Sequence, residues 1–167
     1  MKVVIAGGGI GGMSLALSLL DAGIDDIEVF ESAPAIKELG VGINVLPHAT
    51  RELTELGLLD ALAAVAIPTA ELAYYTKRGQ RIWSEPRGLA AGYRWPQFSI
   101  HRGELLGVLH RALVDRLGSA RIHAGHHLQR LGERPGGGIR AEFGVRPEEA
   151  STGIVRVDGD LLVGCDG

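Results

Sequence analysis

The sequence predicts an α/β protein that opens with a strand–helix–strand unit, and two observations support this prediction. A short apolar run, Val3 to Ala6, leads directly into the segment GGGIGG, and a helical pattern of apolar residues follows it. A second apolar run, IEVFE, then ends in Glu31, 19 positions after Gly12. Strand, glycine turn, helix, strand and acidic residue in this order are typical of a Rossmann-like βαβ unit that binds a dinucleotide.

The glycines of this segment form a complete G-x-G-x-x-G pattern. We expect Gly7 to permit a sharp turn after the strand, Gly9 to let the backbone approach a pyrophosphate, and Gly12 to let the helix pack close to the sheet. The pyrophosphate would lie at the start of the helix, on the segment that includes Ile10 and Gly11, because free N–H groups and the positive end of the helix dipole favour an anion there.

Glu31 is the predicted ribose ligand: its carboxylate would accept hydrogen bonds from both hydroxyls of an adenosine ribose. The alternative is a βαβ unit with a degenerate site that binds nothing, because glycine-rich turns without a ligand are common. An acidic residue at the expected distance favours the dinucleotide site.

The helix after the glycine turn has an apolar side and is expected to end at Gly23 in a left-handed conformation. The residues of that side are Met13, Leu15, Ala16, Leu19 and Leu20. Residues 32–47, rich in glycine and proline, are predicted to form a loop that doubles back toward the ligand. Two short helices broken at Gly57 follow, with Leu53, Leu56, Leu59 and Leu62 facing a core.

A β-hairpin is predicted over residues 70–77 and 80–85. The next segment, GYRWPQF, is predicted to be a loop whose Tyr93 and Trp95 either line a ligand cavity or cover the hairpin. A second helix, GELLGVLHRALVDRLG, ends at Gly118, and the short strand ARIHAG follows it. Two strands joined by a PGGG turn, a turn at Asp158 and Gly159, and the apolar strand LLV complete the pattern.

Composition narrows the class of protein. The 167 residues are 46% hydrophobic and 22% charged with a net charge of −3, which predicts one globular domain without a nucleic-acid partner. No apolar run is long enough to span a membrane and no signal peptide is evident, so we expect a cytoplasmic protein without a membrane partner.

The single cysteine, Cys165, excludes an internal disulfide. His123, His126 and His127 would alternate between faces at a solvated strand end, so no metal site is predicted.

Three elements of the sequence resemble the class A FAD-dependent aromatic monooxygenases, which have the p-hydroxybenzoate-hydroxylase-like fold. They are VVIAGGGIGGMSLALSLLDAG with Glu31, the LGVGINVLP loop together with SIHRGELL, and LLVGCDG, in which Cys165 replaces the usual alanine of the family's DG fingerprint. Within the family the chain is most similar to the phenazine-1-carboxylate monooxygenase branch. The resemblance covers essentially all 167 residues.

The resemblance implies a cofactor set of FAD and NAD(P)H, and an enzyme that uses dioxygen to hydroxylate a phenazine-, salicylate- or nicotinate-like aromatic compound. It also implies further cofactor contacts. Arg102 would lie beside the pyrophosphate or ribityl part of FAD, Asn44 would belong to a loop that passes near the flavin, Leu128 would meet the adenine through its main chain, and Asp166 would order the flavin or nicotinamide approach. A surface salt bridge for Arg102, a core position for Leu128 and a turn role for Asp166 are the alternatives.

The resemblance further implies that residues 1–167 form the N-terminal FAD-binding domain of a larger monooxygenase, whose substrate sheet and C-terminal part follow later in the sequence. The fold would thus be incomplete, and the isolated chain is expected to be inactive; catalytic residues and oligomeric state are not predicted. Two other functions remain open. One is an NAD(P)-dependent reductase, which would use the same glycines and Glu31, and the other is a non-catalytic FAD- or nucleotide-binding fragment.

Overall fold

The computed structural model describes residues 1–35, 40–145 and 153–166. It divides into two compact units, one formed by Met1–Lys37 with Leu109–Gly167 and the other by Glu38–Val108. In chain order the elements are β1 Val3–Ala6, α1 Ile10–Asp21, β2 Ile27–Phe30, β3 Gly42–Val45, α2 Pro47–Glu55, α3 Leu59–Ala63, β4 Ile67–Thr69, β5 Glu71–Tyr75, β6 Arg81–Pro86, β7 Gln97–His101, α4 Arg102–Leu117, β8 Ile122–His123, β9 His126–Glu133, β10 Ile139–Val145, β11 Gly153–Gly159 and β12 Leu161–Gly164. Short 3-10 segments cover Gly88–Ala91 and Ser119–Arg121.

The first unit contains the predicted βαβ unit. β1 lies between β2 and β12 in a four-stranded sheet of order β12-β1-β2-β8, and all three pairings are parallel. Val3, Val4 and Ile5 have no exposed surface. A strand buried on both faces requires an uninterrupted apolar run rather than alternation, which is what the sequence has at this point.

A second, antiparallel sheet of order β11-β10-β9 packs its apolar side chains against the parallel sheet. Phe30 of β2 stacks on Phe143 of β10 with ring centroids 4.1 Å apart, and Val4, Ala6, Ala141 and Val157 complete the buried cluster. Full burial of two phenylalanine rings stabilises this unit by several kcal/mol, since truncation of such a ring costs about 3–5 kcal/mol.

The second unit is built on a three-stranded antiparallel sheet of order β3-β7-β4 and the separate hairpin β5-β6. α2 and α3 bury Leu53, Leu56, Leu58 and Leu62. Leu59, which was also predicted to face a core, is half-buried, and Leu58, just before α3, is buried.

The predicted breaks are confirmed where glycine supplies a positive φ. Gly23, Gly57 and Gly118 have φ values of 79°, 73° and 90° directly after helical segments, and Gly136 to Gly138 form the turn between β9 and β10. The hairpin and the turn between β11 and β12 are also confirmed.

The predicted loop over residues 32–47 is partly wrong, because Gly42–Val45 form strand β3, paired antiparallel with β7. Gln97 and Phe98, predicted as loop, belong to β7 itself, and strand β4 was not predicted at all. These strands are short and pair with residues far away in the chain. The local glycine and proline pattern therefore favoured a loop in the sequence-based prediction. Residues 36–39, in the same predicted loop, lie outside the described residues.

None of the helices described is both long and apolar enough to cross a membrane. Within residues 1–35, 40–145 and 153–166, no three histidine, cysteine or acidic side chains are grouped as metal ligands.

Candidate dinucleotide-binding site

The carboxyl ends of three parallel strands lie side by side in the first unit. Ala6 is in register with Phe30 on one side and with Gly164 on the other. The N–H of Gly7 donates to the Phe30 carbonyl at 2.7 Å, and the N–H of Cys165 donates to the Ala6 carbonyl at 2.6 Å. The residues that follow these strands therefore meet at one edge of the sheet, which is where ligands bind in open α/β sheets.

Packing within the protein itself requires glycine at positions 7 and 12. Gly7 has a φ of +116°, and a Cβ there would overlap the Cys165 carbonyl group and lie 2.7 Å from the Asp166 nitrogen. A Cβ on Gly12 would overlap the Gly7 carbonyl oxygen and lie 3.3 Å from Cγ2 of Ile5. The helix start thus sits directly on the strand end, so its N–H groups are held in a fixed position relative to the sheet.

Gly9 differs from these two glycines because nothing in the described structure requires it. It caps the N-terminus of the 12-residue helix α1 with φ −79° and ψ −170°, and no atom lies within 4 Å of a Cβ built on it. Among the described residues, no side chain caps this helix, and its first turn has no acidic residue. The open space therefore faces N–H groups that have no intrahelical acceptor, which is the arrangement that binds a phosphate group.

Glu31 is held against the glycine turn by its own neighbours. One carboxylate oxygen accepts the N–H of Gly8 at 2.7 Å, and the other accepts the N–H of Ala33 at 2.7 Å and the Ser32 hydroxyl at 3.1 Å. A carboxylate offers about four acceptor positions, and three are used here. If Glu31 holds the ribose, as the sequence predicts, one hydroxyl would find an open acceptor position and a second would have to replace the Ser32 hydroxyl.

Gly8 was not singled out from the sequence, although it positions Glu31. In addition to its hydrogen bond, a Cβ on Gly8 would lie 2.8 Å from the Cβ of Glu31. The signal that could have indicated it is the uninterrupted run of three glycines, of which the nucleotide pattern itself requires only the first and third.

Asp166 follows β12 and is brought to the same edge by the contact between Gly7 and Cys165. Its side chain is exposed, and its role toward a ligand stays a prediction.

Cys165 is half-buried. Burial first, and the neighbouring Asp166 charge second, raise the pKa of its thiol. Both causes favour the protonated thiol, which is a poor nucleophile. Gly167, the last residue of the predicted DG fingerprint, lies outside the described residues.

Leu128 lies in β9 opposite Phe143, and its half-buried side chain packs on the apolar cluster. The alternative of a core role is thus present in the structure, and the main-chain contact with adenine stays a prediction.

The expected solvated strand end at the histidines is wrong for two of them. His123 and His126 pack on Phe30 with ring centroids 4.5 and 5.6 Å away.

His123 also contacts Glu28 at 3.0 Å, and Lys2 contacts the same carboxylate at 2.9 Å. Partial burial raises the pKa of Glu28, but the hydrogen bond and charge of Lys2, together with His123, outweigh it and lower the pKa overall. These contacts stabilise the sheet.

Asn44 and Arg102 belong to the second unit and are described there by themselves. Asn44 lies in strand β3, opposite Ser99, and not in the loop that the sequence predicted. Arg102 is the exposed first residue of α4, and its N–H donates to the Val41 carbonyl at 3.0 Å. Gly40, with φ +151°, would place a Cβ 2.8 Å from the Cβ of Arg102, so the two segments approach closely. Their contacts with a cofactor stay predictions.

Comparisons with known proteins identify two relatives of this chain. Phenazine 1,6-dicarboxylic acid hydroxylase PhzS of Lysobacter antibioticus is 47% identical over 165 residues, covering 99% of this chain and 40% of that protein. The 3-amino-4-hydroxybenzoate 2-monooxygenase of Streptomyces cremeus is 30% identical over 176 residues, covering 100% of this chain and 40% of that protein. The chain thus spans about 40% of the length of these relatives.

Among solved structures, p-nitrophenol 4-monooxygenase PnpA from Pseudomonas putida DLL-E4 superposes with a TM-score of 0.85 at 21% identity, covering 99% of this chain and 40% of that one. This likeness confirms the predicted α/β fold with its βαβ unit and inserted hairpins. The resemblance to class A FAD-dependent monooxygenases is also confirmed. The family described as FAD binding domain matches residues 1–167, and the chain therefore belongs to that family.

Proposed function

We propose that this chain is the FAD-binding part of a flavin-dependent monooxygenase that uses NAD(P)H and dioxygen to hydroxylate an aromatic acid. The observation that carries the proposal is the open space at Gly9, in front of an uncapped helix start and beside a fixed carboxylate. The relatives support the reaction class. One is named a hydroxylase of phenazine 1,6-dicarboxylic acid and the other a monooxygenase of 3-amino-4-hydroxybenzoate, and both compounds are aromatic carboxylates.

The residues present fit FAD at its adenine nucleotide end. The N–H groups from Gly9 through Gly12 would hold the pyrophosphate, and no Cβ obstructs it at Gly9 or Gly11. Glu31 would hold the adenosine ribose, with its carboxylate oriented by Gly8 and Ala33. Arg102, Asn44, Leu128 and Asp166 are further cofactor residues that we propose from the family resemblance.

The chain's contribution to the reaction is binding and orientation. FAD, when bound, supplies the redox chemistry of hydroxylation, which no amino-acid side chain can provide. The close contact of Gly12 with Gly7 keeps the N–H groups of α1 at a fixed distance from Glu31, so the pyrophosphate and the ribose are recognised by a preorganised pair of sites. Such a pair fixes the position of the cofactor before any substrate is bound.

We propose that residues 1–167 act as one domain of a longer enzyme, in agreement with the 40% coverage of the relatives. The isolated chain is then expected to bind FAD without turnover.

We also propose a cytoplasmic location and a small aromatic substrate as the partner. The net charge of −3 supports a small-molecule partner over nucleic acid. The single cysteine supports the cytoplasm over a compartment in which disulfides form.

Titration of the purified chain with FAD, followed by quenching of flavin fluorescence, tests the proposal, with NAD⁺ as a competing ligand. We expect FAD to bind and excess NAD⁺ not to displace it. Preferential binding of NAD⁺ would favour a reductase and contradict the proposal. Incubation with FAD, NAD(P)H and a panel of phenazine, salicylate-like and nicotinate-like acids then tests turnover: hydroxylated product is expected from a longer protein that contains this chain, and not from the chain alone.

A further inference from the structure

The turn between β8 and β9, which we call the histidine turn, consists of residues 123–126. It holds the main chain of Glu31 on both sides. The N–H of Glu31 donates to the His123 carbonyl at 2.8 Å, and the Glu31 carbonyl accepts the N–H of His126, also at 2.8 Å. A residue that is bonded on both sides in this way can shift only if the turn shifts with it.

The histidine turn also holds a residue that orients the Glu31 carboxylate. Ala33 donates its N–H to one carboxylate oxygen at 2.7 Å, and its carbonyl accepts the N–H of Gly125 at 2.8 Å. Gly125 has a φ of +73°, which glycine adopts without steric cost. The turn therefore determines the position of both the residue that bears the carboxylate and one of the donors that hold it.

The side chain of His123 attaches the histidine turn to the core of the first unit. Its imidazole ring stacks on Phe30, with ring centroids 4.5 Å apart and planes inclined by 17°. Its Nε2 atom lies 3.0 Å from the carboxylate of Glu28. The ring is thus held by an aromatic contact on its face and by a hydrogen bond at its edge.

Glu28 is a well-fixed partner for this ring because cations hold its other oxygen. That oxygen lies 2.9 Å from Nζ of Lys2 and 3.8 Å from the guanidinium of Arg121. Only 19% of the Glu28 side chain is exposed, so solvent ions screen these charges less than they would at an open surface. The contact with His123 therefore connects the histidine turn to a charge cluster around Glu28.

His126 packs on the same phenylalanine from the other end of the histidine turn. Its ring lies edge-on to Phe30 at 5.6 Å and edge-on to His123 at 5.7 Å, and its Nδ1 atom lies 2.7 Å from the Ala124 carbonyl. Phe30 directly precedes Glu31 in the chain. The two histidine rings and the strand end that carries Glu31 thus share one set of core contacts.

We propose that His123 is a positioning residue for the cofactor: its ring, held by Glu28 and Phe30, keeps the histidine turn where it directs Glu31 toward the adenosine ribose. His123 acts only through Glu31 and makes no contact with the cofactor itself. This inference rests on the proposed function, which it deepens by naming the side chain that orients the ribose acceptor. The effect of removing the His123 ring therefore cannot exceed the effect of removing the Glu31 carboxylate.

A double-mutant cycle with FAD tests this inference, because it separates an effect through Glu31 from a general loss of stability. His123→Ala should weaken FAD binding about 2- to 10-fold in fluorescence titration, the range that one misaligned hydrogen bond provides. In a chain that already carries Glu31→Ala, the same substitution should have no further effect on FAD affinity. His127→Ala is the matched control, because it removes the same side chain from an exposed position in β9, and it should leave FAD affinity unchanged.

Amide hydrogen exchange, measured by NMR on the chain without FAD, tests the same coupling independently of the cofactor. The N–H groups of Gly8 and Ala33 donate to the Glu31 carboxylate, so His123→Ala should raise their exchange rates, whereas His127→Ala should not. A general loss of stability would instead raise exchange most in the core, for example at the N–H of Leu17 in α1, which is fully buried.

Circular dichroism verifies that each variant is folded. If His123→Ala does not fold, His123→Phe replaces it: its ring can still stack on Phe30, but the contact with Glu28 is lost, and FAD affinity should still fall. Two results would overturn the inference. One is a loss of FAD affinity from the His123 variant that is equal with and without Glu31, and the other is unchanged exchange at Gly8 and Ala33.

The two measurements together separate this inference from the proposed function. Binding of FAD by the unaltered chain, without coupling between His123 and Glu31, would refute the inference alone. Exchange at Gly8 and Ala33 that depends on His123, in a chain that does not bind FAD, would refute the proposed function while confirming that His123 orients Glu31.

Discussion

Substitution of Gly9 by valine is the sharpest test of the nucleotide site, because the position is free of packing constraints. A Cβ there meets no atom of the described residues within 4 Å, and the φ of −79° is accessible to valine. Valine is a poorer N-cap residue than glycine, which costs the helix up to about 1 kcal/mol. We therefore expect Gly9→Val to fold.

The same substitution should prevent FAD binding. The branched side chain would occupy the space in front of the first turn of α1, where the pyrophosphate has to reach the N–H groups. Loss of two charge-assisted hydrogen bonds at about 1.5–3 kcal/mol each amounts to roughly 3–6 kcal/mol, or an affinity lower by about 150- to 20,000-fold.

Flavin fluorescence titration and thermal denaturation on the same sample measure both outcomes. Gly132→Val, in strand β9 of the same unit, is the matched control, because its Cβ also meets no atom within 4 Å. Gly12→Ala provides the contrast: its Cβ would overlap the Gly7 carbonyl oxygen, so this variant should lose stability itself. A folded Gly9→Val variant with unchanged FAD affinity would refute the reasoning, and so would unfolding of Gly9→Val under conditions in which Gly132→Val is folded.

Four further predictions concern single side chains. Glu31→Ala should weaken FAD binding roughly tenfold or more in fluorescence titration, since the ribose loses a charged acceptor, and unchanged affinity would remove Glu31 from the site. Ser32→Ala, which frees an acceptor position on Glu31, should leave FAD affinity equal or higher; a clear loss would contradict the acceptor count. The lowered pKa of Glu28 means that its ionised form stabilises the fold above its ordinary value of 4.5, and that this contribution is lost as the pH falls through the lowered value. The stability difference between Glu28→Gln and the unaltered chain in urea denaturation should therefore be smaller at pH 3 than at pH 7, and an equal difference would contradict this assignment. Phe143→Ala should lower the free energy of unfolding by about 3–5 kcal/mol, and a cost below 1 kcal/mol would show that the stack with Phe30 is not a core contact.

The elements that the sequence determined by itself are those set by local chemistry. The fully apolar β1, the glycines after it and the helix that follows require only neighbouring residues to specify them, and they predicted the βαβ unit and the position of Glu31. Breaks at Gly57 and Gly118 could be predicted for the same reason, since a left-handed residue after a helix favours glycine whatever the rest of the fold does.

What only the tertiary structure decided depends on partners far away in the chain. Asn44 was expected in a loop and lies in a strand because residues 97–101 pair with it. The hydrogen bond from Gly8 to Glu31 spans 23 positions, and the contact between His123 and Glu28 spans 95. Turn signals and periodicity depend on a window of a few residues. Strand pairing, close backbone approach and burial of polar groups arise only when distant segments meet, so they follow from the fold rather than from any local pattern.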